Sequence, residues 1–328
     1  MSRRPAPGTH HAAPRVLAGL AALLAVLLLA SLLIGDGILA LPDRLILLQI
    51  RLPRTLLAAL VGGGLGLSGA ALQGALRNPL ADPGLLGITG TAGLGAAVTF
   101  YWGLAAQFPP ALPIGGLIGA AAGAISLLVF AGRAPSGPSL ILAGIAVSAL
   151  SAALLALALS LAPNPFALAE LTFWLLGGVN DRSLAQVALA APPILLGMAI
   201  LLRLGPGLDA LSLGEDTAAS LGVPVSRTLR LAAAGTALAA GAGAAIAGGI
   251  GFVGLVVPHL LRPWLGQRPA ALLPASLLAG AALLLAADLL VRLAPLALPL
   301  SQPLPLGVLT ALLGAPFVVA IARKTPPP

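Results

Sequence analysis

Long apolar runs separated by short polar breaks fill the chain almost from one end to the other. Most runs hold about 20 residues, enough for a helix to cross a hydrocarbon core of about 30 Å. They lack the alternation of polar and apolar residues that marks the strands of a membrane β-barrel. The pattern predicts an all-α integral membrane protein of about ten transmembrane helices, which we place at 16–34, 54–76, 84–104, 112–131, 139–161, 183–202, 228–248, 250–266, 272–293 and 305–322.

The composition supports a protein that is embedded in a membrane. Only 8% of the residues are charged and 59% are hydrophobic, whereas a soluble domain carries about 25% charged residues. Because no polar stretch is long enough to fold separately, we expect residues 1–328 to form one transmembrane domain, with a cytoplasmic tail at 1–15 and a cytoplasmic loop at 203–227. The lack of cysteine excludes disulfides and thiolate metal sites.

The basic residues lie singly between the apolar runs, so the net charge of +8 indicates membrane topology rather than nucleic-acid binding. If the N-terminus is cytoplasmic, the inner side receives most of the seventeen basic residues, namely Arg3, Arg4, Arg15, Arg77, Arg133, Arg203, Arg227, Arg230, Arg262, Arg268, Arg323 and Lys324. The outer side then receives Arg44, Arg51, Arg54, Arg182 and Arg292. This bias predicts that both termini are cytoplasmic. The first run is long and no small-residue cleavage site follows it, so a retained helix is favoured over a signal peptide.

Three of the outer arginines stand at the ends of predicted helices. Arg51 and Arg54 are three residues apart at the start of the second helix, and Arg292 follows Asp288 by four residues near the end of the ninth. A spacing of four lets Asp288 and Arg292 pair on one helix face, so we favour an ion-pair role for Asp288 over a proton relay. An exposed cationic ring on the outer face would either bind an acidic partner or substrate, or anchor the protein to lipid phosphates.

The longest polar break lies between the sixth and seventh predicted helices. Residues 211–224 can form a short helix there, with Ser212 as its N-cap and Glu215 three residues later, in a capping-box arrangement. Gly222 and Pro224 are expected to end this helix. It is either a simple connector or a contact for a cytosolic partner. We favour the partner, because the spans do not need the extra length.

Glycine and proline interrupt the helical pattern in two segments, 73–84 and 248–259. Irregular backbone at membrane depth survives only where it is buried in protein or lines an aqueous cavity, and paired broken segments indicate a transport pathway. We therefore predict an inverted repeat that relates helices 2–5 to helices 7–10. The second segment ends in Pro258 and His259, and a lone intramembrane histidine suits a structural hydrogen bond better than a metal site.

The sequence cannot form an ATP-hydrolysing site of the P-loop type. That loop requires Gly-x-x-x-x-Gly-Lys-Ser/Thr, and the only lysine is Lys324. Energy for transport would then come either from an ion gradient, through intramembrane carboxylates, or from a separate ATPase subunit. A membrane-embedded enzyme would need a cluster of polar catalytic residues in the helices, and the sequence offers none. We expect no catalytic residue, no metal and no cofactor on this chain.

A series of motifs covers nearly the whole chain in the order typical of one family. The motifs are Arg51-Leu-Pro-Arg54, Ser68-Gly-Ala-Ala-Leu-Gln73, Asn78-Pro-Leu-Ala-Asp-Pro-Gly-Leu-Leu-Gly87, Leu142-Ala-Gly-Ile145, Phe173-Trp-Leu-Leu-Gly-Gly178, Leu213-Gly-Glu-Asp-Thr-Ala-Ala-Ser-Leu-Gly222, Gly251-Phe-Val-Gly-Leu-Val-Val-Pro-His-Leu-Leu-Arg262, Ala287-Asp288 with Arg292, and Leu304-Pro-Leu-Gly-Val-Leu-Thr-Ala-Leu-Leu-Gly-Ala-Pro316. With them the chain resembles the FecCD-type permeases, which are membrane subunits of ABC importers for iron–siderophore, haem and cobalamin.

The resemblance implies a ten-helix subunit of the inner membrane that dimerises, with itself or a paralogue, around a central translocation path. Two cytosolic ATPase subunits, which hold the ATP and magnesium, would dock on its coupling helices. An extracytoplasmic binding protein would deliver the metal chelate. The sequence alone leaves open whether the dimer is formed by two copies or by two different permeases.

The same resemblance implies roles for particular residues. Arg51, Arg54 and Arg292 match arginines that receive acidic residues of the binding protein. The residues that match the ATPase-coupling segment are Leu213, Gly214, Glu215, Ala218, Leu221 and Gly222. Asn78 and Leu80 match a cytoplasmic constriction, and Gly137 and Pro138, in the turn 136–139, match a second gate.

One departure from the family pattern precedes the last helix, where Pro303 stands in the place of a usual glutamate. Whatever that carboxylate contributes to the outer mouth is missing or replaced here. The transported chelate is expected to be an iron–siderophore, the commonest substrate of the family, with cobalamin or haem as alternatives. An ion-gradient-driven secondary transporter is the alternative of another class.

Overall fold

The computed structural model describes residues 9–35, 43–101, 103–104, 108, 110–162, 165–297 and 304–324. Its helices, numbered in chain order, are α1 (Thr9–Leu33), α2 (Arg44–Ala75), α3 (Ile88–Tyr101), α4 (Ala111–Ala131), α5 (Gly137–Ser160), α6 (Pro165–Leu175), α7 (Leu184–Arg203), α8 (Gly205–Leu211), α9 (Glu215–Ser220), α10 (Val225–Ala247), α11 (Val253–Leu265), α12 (Pro269–Ala297) and α13 (Leu306–Lys324). Every predicted span coincides with one of these helices. The predicted all-α membrane fold is confirmed.

The helices differ in their capacity to cross a membrane. Among the described residues, 7 helices are long and apolar enough by length and composition, namely α1, α2, α4, α5, α7, α10 and α12. The other three predicted spans are not among them: α3 has 14 residues, α11 has 13, and the apolar part of α13 is Leu306–Phe317. Helix α1 begins at Thr9 and so includes half of the predicted tail. The side of the membrane that each end faces stays a prediction, and we use "inner" and "outer" in the predicted orientation.

Helix α2 occupies the centre of the molecule and α1 lies at its edge. In the most apolar stretch of α2, 83% of the residues are buried, against 6% in α1. α2 packs against α12 through Gly62, Gly66, Ser276 and Gly280, a set that we call the small-residue contact. A Cβ on Gly62 would overlap the Gly280 carbonyl, and one on Gly66 would overlap the Ser276 carbonyl. Small residues of this kind let transmembrane helices approach until their backbones touch.

Irregular segments separate the long helices at the places where the sequence has its proline and glycine clusters. The first is the inner loop, residues 76–87, which includes a 3₁₀ turn at Pro83–Leu86. The second is 248–252, where Phe252 adopts a left-handed conformation with a φ of 67° just before α11. The predicted cytoplasmic loop 203–227 is instead largely helical, because it contains α8 and α9.

Candidate functional site

Two arginines on different helices share one buried carboxylate at the outer end of the bundle. Asp288 on α12 is 1% exposed, and its Oδ1 lies 2.8 Å from Nη2 of Arg54 on α2. Its Oδ2 lies 2.6 Å from Nη2 of Arg292, one helical turn further along α12. The predicted pairing of Asp288 with Arg292 is confirmed, and Arg54 is a second partner that the spacing could not indicate.

The end of α1 completes this arrangement. Arg292 Nη1 donates to the carbonyl of Ser31 at 2.8 Å and to that of Ile34 at 3.1 Å, and Nη2 donates to Ser31 Oγ at 3.0 Å. Carbonyls at the end of a helix have no partner within the helix and carry partial negative charge, which a guanidinium satisfies. We call Ser31, Arg54, Asp288 and Arg292 the outer cluster, and it joins α1, α2 and α12.

The exposed cationic ring predicted from the sequence is not formed as expected. The Arg292 side chain is 3% exposed and that of Arg54 is 17% exposed, because both turn inward to Asp288. Arg51 is half-buried and donates from Nη1 to the carbonyls of Leu32 and Leu33, each at 2.8 Å. Arg54 and Arg292 therefore lie largely beneath the outer surface, where both contact the Asp288 carboxylate.

A second outer feature is a cavity of about 390 Å³ between α6 and the segment that leads into α7. Phe100, Trp174, Asn180 and Arg182 line it, together with Leu304 at the start of the last segment. Burial lowers the pKa of Arg182, and the neighbouring Asp181 carboxylate opposes that shift. Pro303, which stands where the family usually has a glutamate, immediately precedes Leu304 in the sequence. It lies outside the described residues.

At the inner end, Gln73 on α2 connects three parts of the chain. Its Oε1 accepts a hydrogen bond of 2.7 Å from Arg262 Nη2 on α11, and its Nε2 donates to Ala81 O at 3.3 Å in the inner loop. Nε2 also donates to Gly254 O at 3.4 Å. Pro258 has no amide hydrogen to give to that carbonyl, four residues before it, so Gln73 supplies the missing donor. Pro258 lies inside α11, whereas the sequence pattern had placed it in the broken segment 248–259.

His259 belongs to the same inner network, which we define as Gln73, His259 and Arg262. Its Nδ1 lies 3.3 Å from Leu255 O, and Arg262 Nη1 lies 3.1 Å from its Nε2. The predicted structural hydrogen bond is confirmed. Among the described residues, no group of three or more histidine or acidic side chains is placed to hold a metal ion. A cavity of about 290 Å³ opens beside the network and is lined by Gln73, Arg77 and Arg262.

The inner loop holds its shape through polar side chains that bond to its own backbone. Asn78 Oδ1 accepts a hydrogen bond from Leu80 N, and Asp82 Oδ1 accepts one from Gly84 N, each at 2.9 Å. Burial raises the pKa of Asp82, although the hydrogen bond from Gly84 opposes the shift. Leu80, the apolar residue predicted to form a constriction, is 46% exposed and so is available to contact another chain or a substrate.

The second predicted gate is the turn that starts α5. Ser136 caps the helix with a capping box, since its Oγ accepts from Ser139 N while Ser139 Oγ accepts from Ser136 N at 2.9 Å. Gly137 is buried and Pro138 is exposed, in the first turn of the helix. Proline suits this position, because the first amides of a helix have no partner within it.

The predicted coupling helix is shorter than expected and has another N-cap. Helix α9 begins at Glu215 after Gly214, whose φ of 115° suits glycine. The predicted cap at Ser212 is wrong, because Ser212 Oγ donates instead to Asp209 O at 2.6 Å and continues the end of α8. The predicted stop at Gly222 is confirmed by its φ of 82°.

The side chains of α9 and its flanks divide between two directions. Leu213 and Leu221 are 64% and 63% exposed, whereas Ala218 is fully buried. Glu215 points into the protein, where its Oε1 accepts a hydrogen bond of 2.9 Å from Gly137 N at the start of α5. The structure thus places two of the predicted site groups, the coupling segment and the second gate, in direct contact.

Residues 16–324 match the FecCD transport family. This chain belongs to that family. A vitamin B12 import system permease protein of Klebsiella pneumoniae, BtuC, is 40% identical over 319 residues, which cover 95% of this chain and 94% of that protein. YvrB of Bacillus subtilis, an uncharacterised ABC transporter permease protein, is 39% identical over 289 residues, or 85% of this chain and 79% of that protein.

A solved structure agrees with these FecCD relatives. A metal-chelate type ABC transporter in an inward-facing conformation superposes with a TM-score of 0.85 at 33% identity, covering 95% of this chain and 100% of that chain. The chain is therefore a multi-pass permease subunit of a metal-chelate type ABC importer in the inner membrane. As a FecCD permease it is the membrane subunit of the importer and not the ATPase.

The structure adds residues to which sequence reasoning gave no role in this FecCD permease. Gln73 and Arg262 occurred in motifs but were assigned no functional role, although a polar side chain inside a predicted transmembrane span is a signal in itself. Asp209 is another: its Oδ1 accepts from Ala270 N at 2.9 Å and so fixes α8 against the start of α12.

Proposed function

We propose that this permease imports cobalamin. Within the FecCD family, the expectation of an iron–siderophore rested on frequency alone. The observation that carries the proposal is the 40% identity to a vitamin B12 import permease over 95% of this chain, with another permease of that name, from Citrobacter koseri, 39% identical over 318 residues. Relatives this similar over their whole length are a better guide to substrate class than the frequency of substrates in a family.

We also propose the assembly in which it works. Two copies of the permease, or this chain and a paralogue, would surround the translocation path, and two ATP-binding subunits would dock on the exposed Leu213 and Leu221. An extracytoplasmic binding protein would deliver the substrate to the outer mouth of this path. Transport then follows from different affinities of two conformations for ATP and substrate, so this chain needs no covalent chemistry of its own.

The inner segments supply the gates in this proposal. Leu80 in the inner loop and Pro138 at the start of α5 are exposed, and each sits on backbone held by its own polar caps. A gate needs both an exposed apolar side chain and a well-held backbone. The side chain can block a polar path only if the loop that carries it keeps a fixed shape.

Uptake by proteoliposomes tests the proposal. Vesicles would hold the permease with its ATPase and binding protein, and would be offered radiolabelled cobalamin, a ferric siderophore or haem, with ATP inside or absent. We expect cobalamin to accumulate only with ATP and binding protein. Accumulation of the siderophore but not cobalamin would overturn the substrate assignment, and uptake driven by an ion gradient without ATP would overturn the mechanism.

A further inference from the structure

The hydrogen bond from Gly137 N to Glu215 Oε1 joins two segments that are 78 residues apart in sequence. One is α9, where the partner ATPase is proposed to dock, and the other is the first turn of α5. Among the described residues, this is the one hydrogen bond between α9 and α5. It therefore links the proposed docking surface directly to the second gate.

A carboxylate is well suited to this contact. Gly137 is the first residue of a 24-residue helix, so its amide hydrogen has no partner within the helix. A carboxylate at that place accepts a charge-assisted hydrogen bond and also faces the positive end of the helix dipole. A Cβ on Gly137 would lie 3.3 Å from Glu215 Oε1, so glycine lets the carboxylate approach the backbone closely.

Neighbouring contacts fix the same turn from another side. Arg230 Nη1, near the start of α10, donates to Arg133 O at 3.0 Å. Pro135 and Leu140, on either side of the turn, are buried. The turn is therefore held by α9 and by α10, which are consecutive in sequence, and a displacement of either one acts directly on the start of α5.

Helix α5 continues the connection to the first gate. Ser148 Oγ, three turns into α5, donates to Leu85 O at 3.2 Å in the inner loop, and Gly144 lies against the same residue. The inner loop carries Asn78 and Leu80. A movement of α5 along or across its axis would therefore reach the first gate as well as the second.

From this geometry we infer that Glu215 is a positioning residue that transmits movement of α9 to α5, and is not itself a docking residue for the ATPase. The division of side chains supports this role, because Leu213 and Leu221 face outward while Glu215 faces Gly137. The inference rests on the proposed function for its transport step only, since the contact itself belongs to the permease.

Three variants of the full transporter test the inference. Glu215→Ala removes the acceptor, Glu215→Gln keeps an amide oxygen that can accept from Gly137 N, and Asp216→Ala is the matched control, an exposed acidic neighbour in the same first turn. The chain has no cysteine, so spin labels at Ala134→Cys and Ala219→Cys, both exposed positions, can report the distance between the turn and α9. Each variant is also assayed for co-purification of the ATPase and for labelled cobalamin imported per ATP hydrolysed.

We expect Glu215→Ala to keep its ATPase, to broaden the spin-label distance distribution, and to lower cobalamin import per ATP by about tenfold, a size common for coupling between sites. Glu215→Gln should keep a narrow distribution, and Asp216→Ala, which changes an exposed side chain, should keep the wild-type distance distribution. The inference is overturned if Glu215→Ala leaves the distribution narrow, or if its main effect is loss of the ATPase from the complex.

Two further results are informative if Glu215→Ala does not fold or if the wild type does not import cobalamin. If Glu215→Ala does not fold, Gly137→Pro removes the donor from the other side of the same bond, and it should broaden the distribution in the same way; an unchanged distribution would overturn the inference. If the wild type imports no cobalamin, the proposed function fails. The spin-label result, which needs no substrate, still decides the inference.

Discussion

Asp288 is a buried charge that two arginines share. Its carboxylate accepts hydrogen bonds from Arg54 and Arg292, and both of those guanidinium groups turn away from the outer surface to reach it. Without Asp288, two positive charges would share a largely buried site with only carbonyl and hydroxyl oxygens as partners. Arg54 and Arg292 therefore owe their orientation to Asp288.

Replacing Asp288 by Asn is expected to lower the stability of the protein. Removal of one partner from a buried ion pair typically costs about 3–5 kcal/mol, because the remaining charge is left uncompensated. The measurement is the unfolding temperature of the detergent-purified permease. Asp43→Asn, at an exposed outer position whose side chain makes no capping hydrogen bond, is the matched control and should unfold like the wild type. Equal unfolding temperatures for Asp288→Asn and the control would show that the pair contributes nothing.

These residues also show how far sequence reasoning extends at the scale of the residue. The pair Asp288 and Arg292 was predictable, since a spacing of four on a helix brings side chains together. Arg54 was not predictable as a partner of Asp288, because 234 residues separate the two and only packing of α2 on α12 brings them into contact. The predicted exposure of Arg54 and Arg292 was wrong because the same packing turns both side chains inward.

At the scale of the element, the packing of α2 on α12 depends on the small-residue contact. Hydrophobic burial does not drive helices together inside a lipid bilayer, since lipid tails are as apolar as leucine. The attraction between the two helices then comes largely from van der Waals contact, which requires small side chains where the helices cross. Gly62 and Gly280 meet this need by facing each other's carbonyls.

Gly280→Leu should therefore separate α2 from α12. Overpacking a tight interior typically costs about 1–3 kcal/mol, and a leucine that meets backbone has no flexible neighbour to displace. We expect a clearly lower unfolding temperature in detergent than for Gly19→Leu. Gly19 lies on α1 with no atom near its missing Cβ, so it is a matched control within a helix. The packing argument fails if both variants unfold at the same temperature.

The positions of the helices were predictable from the lengths of the apolar runs. The exact residue at which a helix begins was less predictable, because it depends on backbone conformation. Every predicted span coincides with a helix, because each apolar run has a helical length. The N-cap at Ser212 was mistaken, since the sequence pattern fits a capping box but Gly214, with its φ of 115°, starts the helix later. The contact between Glu215 and Gly137 could not be predicted, because it depends on how two loops meet in space.

At the scale of the whole molecule, the exposed apolar residues beside α9 define where an assembly partner would be held. Leu213 and Leu221 flank α9 and are each more than half exposed on the predicted cytoplasmic side. In the proposed assembly, these two leucines supply apolar surface that the ATPase subunit covers.

Replacing both Leu213 and Leu221 by Asp should therefore release the ATPase subunits from the permease. Their apolar contact area would be lost, and two charges would face a surface shaped for leucine. Co-purification of the ATPase with tagged permease measures the effect, and Gln267→Asp, exposed on the same predicted side, is the control. Retention of the ATPase by the double variant would place the docking surface elsewhere.

A transporter that changes shape needs a stationary frame against which its other parts can move. The outer cluster joins the ends of α1, α2 and α12, and the small-residue contact joins α2 to α12 further along. Neither of these two contacts includes α5, which Glu215 contacts at its first turn. In the proposed transport cycle, the gates would therefore open by movement of α5 against this frame, while the outer mouth keeps its shape.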